Sequence, residues 1–67
     1  MITDPDVLRF AEAQINRHGE DAPIWAADQA RAMLESGNSG GTRLWLRILE
    51  AIETLQATER LEGTVVQ

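Results

Sequence analysis

His18 is the chain's one histidine, and Glu20 and Asp21 follow it closely. A histidine oriented by a carboxylate is what a general base requires, so this corner is the first place to look for catalysis. A nucleophile is missing: there is no cysteine, and no serine pattern accompanies the histidine. The bland role is the expected one, with the imidazole packed over Ile15 in the last turn of a helix and interacting with its carbonyl end. The same inventory bears on metals. One histidine and no thiolate leave too few ligands for a typical zinc site, and the carboxylates form no clustered loop, so no metal or cofactor is expected.

Phosphate and nucleic-acid chemistry fare no better. Gly37-Asn38-Ser39-Gly40-Gly41-Thr42-Arg43 leads into a helix as a phosphate cradle does. A true phosphate loop follows a strand and carries Gly-Lys-Ser/Thr, whereas here a helical segment precedes it and lysine is absent, so the segment reads as a connector. Arg43 and Arg47 would have to be the phosphate-facing residues of a helix-turn-helix, but Glu50 and Glu53 follow on nearby faces of the same helix. Arg47 and Glu50 read instead as a solvated pair one turn apart. The formal charge of −5 repels a polyphosphate backbone, so direct nucleic-acid binding is not expected. The acidic side chains support a different reading, a nucleic-acid mimic that inhibits a nucleic-acid-binding protein, although interleaved arginines interrupt the array.

These residues must be held by helices. Thr3 or Asp4 can cap a first helix over about 5–18, with Pro5 in its first turn and Gly19 ending it. Its apolar face gathers Val7, Leu8, Phe10, Ala11 and Ile15. A second helix over about 22–36 starts at Asp21, carries Pro23 in its first turn and closes at Gly37. Its alanines permit close approach of a neighbour. Asn38 or Ser39 caps a third helix over about 39–61, whose central stripe is Leu44, Ile48, Ile52 and Leu55, flanked by Trp45 and Leu49. Gly40 and Gly41 weaken its first turn, and residues 62–67 are expected to be a mobile tail. The predicted fold is all-α, a single small domain over 1–67, with three helices running up-down-up because their connections are short. At 67 residues such a core is marginal without a staple, and a second copy can complete it by dimerisation.

Two apolar residues fall on the wrong side of their helices. Placed at about 100° per residue, Ala26, Ala27, Ala30, Met33 and Leu34 form one face of the second helix, and Trp25 lies roughly 140° from its centre. Leu46 lies with Glu53 and Ala57, away from the third helix's stripe. Both are expected to be exposed, and tryptophan is enriched among residues that dominate binding energy. Trp25 and Leu46 are therefore the candidate partner-binding residues, with Trp25 tucked over the end of the first helix as the competing placement.

His18-Gly19-Glu20-Asp21-Ala22-Pro23-Ile24, then Ala30-Arg31-Ala32-Met33-Leu34-Glu35, then the run from Trp45 through Arg47-Ile48 to Gln56 resemble a family of small alphaproteobacterial helical proteins of unknown function. The resemblance spans about residues 10–56 and implies no activity. It implies a polar residue where this chain has Trp25 and a lysine where it has Leu46, so both departures add apolar surface. The absence of lysine and the abundance of alanine independently suggest a GC-rich bacterial genome. Acidic residues stand where a secretory leader would be basic, and no run approaches the roughly 18 apolar residues of a membrane span, so a cytoplasmic location is expected. The function expected is a non-catalytic protein–protein interaction module, an accessory or regulatory subunit that binds another protein or itself.

Overall fold

The computed structural model describes residues 4–65, with side chains through residue 58, and the described chain is all-helical. Asp4 caps α1 (Pro5–His18), its carboxylate accepting the Asp6 N–H at 2.9 Å, and Pro5 sits where a helix needs no N–H; Thr3, the other candidate cap, lies outside the described residues. Gly19 ends α1 at φ 59°, a conformation open to glycine, and its N–H donates to the Ile15 carbonyl. Asp21 does not cap the next helix as expected. Its backbone is already helical, because Gly19–Asp21 wind on as a 3-10 turn directly into α2 (Ala22–Glu35).

The end of α2 is tightly tied. Gly37, at φ 81°, donates to the Leu34 carbonyl and Asn38 N donates to the Met33 carbonyl, the paired bonds of a Schellman motif. Asn38 then starts α3 (Ser39–Val65), its Oδ1 accepting the Gly41 N–H at 2.8 Å. One residue thus serves two helix ends, which fixes the turn between them. Gly41 is not merely a weak helix former: a Cβ there would lie 2.7 Å from Met33 Sδ, so its lack of a side chain lets the end of α2 close on the start of α3. α3 also runs past the expected end at 61, through Gly63 to Val65. The tail expected at 62–67 thus begins as helical backbone, and Val66 and Gln67 lie outside the described residues.

The largest contact between helices is α2 with α3, then α1 with α3, while α1 and α2 touch little beyond their shared corner. The helical run 5–35 therefore folds against α3 as a bent arm. Val7 and Phe10 lie near Trp45, and Gln56 Nε2 donates to the Gly19 carbonyl at 2.9 Å, so α1 advances along α3 in the same direction. The buried apolar residues are Val7, Ala11, Ala22, Ala26, Ala30, Ile48, Ala51 and Ile52. Most are alanines, so close backbone approach does the work that bulky side chains do elsewhere.

Each helix is rolled from its predicted phase. In α1, Gln14 is buried and Phe10 is exposed; in α2, Ala22, Ala26 and Ala30 face inward while Ala27 and Leu34 face out; in α3, Ala51 and Gln56 are buried while Leu44 is exposed. Weighting by hydrophobicity pulls the predicted faces toward large apolar residues. The packing selects small ones, and Gln56 is drawn in by the carbonyl it must satisfy.

Candidate functional site

Trp25 is not the exposed anchor its helical phase predicts. The roll of α2 turns the indole toward α1, half-buried and stacked on the His18 imidazole with ring centroids 4.5 Å apart and planes 21° apart. Its other contact is edge-on to Trp45, at 5.0 Å and 79°, and Trp45 in turn meets Phe10 at 5.5 Å and 78°. The four rings form a continuous seam between α1, α2 and the first half of α3. Edge-to-face pairs of this kind contribute about 0.5–1.5 kcal/mol each beyond the area they bury. Trp25 is a packing residue over the end of α1, which is the competing placement named above.

The same seam accounts for His18. One face of the ring lies against Trp25, and Nε2 is buried without a hydrogen-bond partner among the described residues. Gln14 is one turn earlier on the same side of α1, and its Oε1 is also buried without a hydrogen-bond partner among the described residues. Glu20 and Asp21, the proposed orienters, are exposed. Among the described residues no group of three or more His, Asp or Glu side chains is placed to hold a metal ion.

Leu46 is where its phase puts it, 50% exposed. With Leu49 it lines a shallow groove of ≈ 410 Å³ whose other residues are Arg47, Glu50 and Glu53. The structure does not bring Leu46 and Trp25 together as one surface: Trp25 faces the aromatic seam, and Leu46 lies on the opposite flank of α3 from Leu44.

A second groove lies on the other flank of α3, where the hydrophobic periodicity gives no sign of one. At the start of α1, Phe10, Leu44, Trp45 and Ile48 line a cleft of ≈ 250 Å³, with Asp4 and Asp6 at its edge. Phe10 is 43% and Leu44 48% exposed, although the periodicity puts one on the apolar face of α1 and the other on the central stripe of α3. The usable signal was the spacing of Val7, Ala11, Gln14 and His18, which marks the inward line of α1 and leaves Phe10 beside it; the polar Gln14 hides that line from a hydrophobicity criterion.

Comparisons with protein-family models, with curated proteins and with solved structures return no match to this chain. Among the described residues no helix is long and apolar enough to cross a membrane.

Proposed function

We propose that the chain is a non-catalytic protein–protein interaction module, a small accessory or regulatory subunit that binds another protein or a second copy of itself. The observation that carries this reading is the amount of large apolar side chain left outside: Phe10, Ile24, Leu34, Leu44 and Leu46 are all exposed in a chain whose core is mostly alanine. Isolated exposed leucines are ordinary, but here Leu46 shares a groove with Leu49, and Phe10 shares one with Leu44. Leu46 and the Leu44 cleft are the proposed contact surfaces; Trp25, half-buried in the aromatic seam, is the weaker candidate of the two residues that helical phase singles out.

The test is affinity capture from the native host with the wild-type chain and with Leu46→Asp and Leu44→Asp, at low and high salt. A stoichiometric protein, or a second copy, retained at high salt and lost by about tenfold or more with either variant supports the reading. Capture abolished by salt and indifferent to both variants would instead support an acidic nucleic-acid mimic. A chain that stays monomeric and retains no protein in stoichiometric amount overturns the interaction module.

A further inference from the structure

We propose that the cleft between the start of α1 and the first half of α3 takes the apolar face of a lysine- or arginine-bearing amphipathic helix from another protein. This inference rests on the interaction reading and names its surface and the chemistry of its partner.

The walls decide the apolar half of the ligand. Phe10 and Leu44 stand exposed on either side, Trp45 and Ile48 lie deeper, and ≈ 250 Å³ of space opens between them. Pockets that hold a cofactor or drug-sized molecule run to about 300–1,000 Å³, so this cleft fits an anchoring side chain better than a free small molecule. Its walls are helices whose interior backbone groups are already paired along their own axes, so no strand can add to an edge there. Recognition must proceed through side chains, and a helix laying apolar residues into a groove is the mode that does so.

The rim decides the charged half. Asp4 and Asp6 line the cleft and both are exposed. Asp4 caps α1, so the roughly half positive charge of that helix end is set against the two carboxylates that line the cleft. Arg47, one turn from the core-facing residues of α3, lines the opposite groove and does not neutralise this one. A cation beside an apolar anchor would meet the carboxylates and the accessible part of the Phe10 and Trp45 rings. A second copy is a poor occupant by the same logic: it brings its own formal −5 and the same acidic rim.

The test titrates the full chain with a synthetic amphipathic leucine/lysine helix and with the same helix carrying glutamate for lysine, followed by amide NMR shifts. The lysine helix is expected to bind, with the largest shifts at Val7, Phe10, Leu44 and Ile48, and the glutamate helix is expected not to. Leu44→Asp should weaken binding by about tenfold or more, Asp6→Asn by about threefold at low salt with the difference vanishing at high salt, and Leu46→Asp should leave it unchanged. All three substituted positions are exposed, so all three variants should fold, and circular dichroism verifies it. Equal binding of the two helices, shifts centred on Leu46, or self-association broken by Leu44→Asp would each overturn the assignment. A native partner lost with Leu46→Asp but indifferent to Leu44→Asp overturns this cleft while leaving the interaction module standing.

Discussion

The two seams of this molecule are built from opposite materials. Between α2 and α3 the chain sets Ala22, Ala26 and Ala30 against Ile48, Ala51 and Ile52, and all six are buried. Between α1, α2 and the first half of α3 it sets His18, Trp25, Trp45 and Phe10, none of them fully buried. Small side chains let two axes approach, and the α2–α3 contact is accordingly the largest. Where α1 and α2 diverge from their corner, alanine would leave a void, and aromatic rings span it. A small chain can thus afford a thin core only by filling its remaining gap with its largest residues. The tryptophan whose helical phase predicts exposure is, in the structure, half-buried between His18 and Trp45.

If that contrast holds, emptying the aromatic seam should be the most damaging change. Burying a tryptophan fully is worth about 3–5 kcal/mol against alanine, and the half-buried Trp25 should lose about 2–3 kcal/mol in Trp25→Ala. For a domain of this size that is a fall in Tm of roughly 10–20 °C, measured by thermal circular dichroism. Trp25→Phe should lose clearly less, since a smaller ring can still meet Trp45. A Trp25→Ala chain that melts with the wild type would break the comparison, because a surface anchor is the residue that can be removed without such a loss.

The alanine seam should fail in the opposite direction, by overfilling. Ala26→Leu inserts a large side chain where no space remains and should cost about 1–2 kcal/mol, whereas Ala27→Leu, one residue along on the exposed side of α2, should stay within about 0.5 kcal/mol. Equal effects at the two positions would mean that α2 is not rolled as described. This neighbouring pair also shows what the sequence could and could not reveal. Helix ends were legible because caps are local chemistry: Asp4 with Pro5, Gly19, Gly37 and Asn38 all act within a few residues of themselves. The roll of α2 was not, because Ala26 and Ala27 are chemically identical and both fall on a predicted face centred toward Leu34, which tertiary packing leaves outside. Gln14 and Gln56 were invisible as inward residues for a related reason. At least for Gln56, burial follows from a bond to the Gly19 carbonyl, far away in sequence. Leu46 was legible because it lies so far from the Ile48 and Ile52 line, both buried, that the roll of α3 does not bring it inward.

The smallest effect discriminates best, because it sets two glycines side by side at the mouth of the tight seam. Gly40 and Gly41 both weaken the first turn of α3, and on propensity alone alanine should help at either. At Gly40 a new Cβ would meet only Asn38 Oδ1 at 3.8 Å, so Gly40→Ala should stabilise by about 0.5 kcal/mol. At Gly41 it would meet Met33 Sδ at 2.7 Å, Met33 Cγ at 3.0 Å and Asn38 Cγ at 3.1 Å. Moving Asn38 also disturbs the bond by which its amide oxygen caps the Gly41 N–H, so the propensity gain is outweighed and Gly41→Ala should lose about 1 kcal/mol net. Urea unfolding of the two single variants checks the sign of each. Met33→Ala then locates the conflict: if the thioether is the obstacle, Gly41→Ala should become nearly neutral in that background, a coupling of about 1 kcal/mol. A loss that persists unchanged without the Met33 side chain would place the strain on the Asn38 cap, and the closeness of α2 and α3 at this end would then be set by the turn and not by the seam.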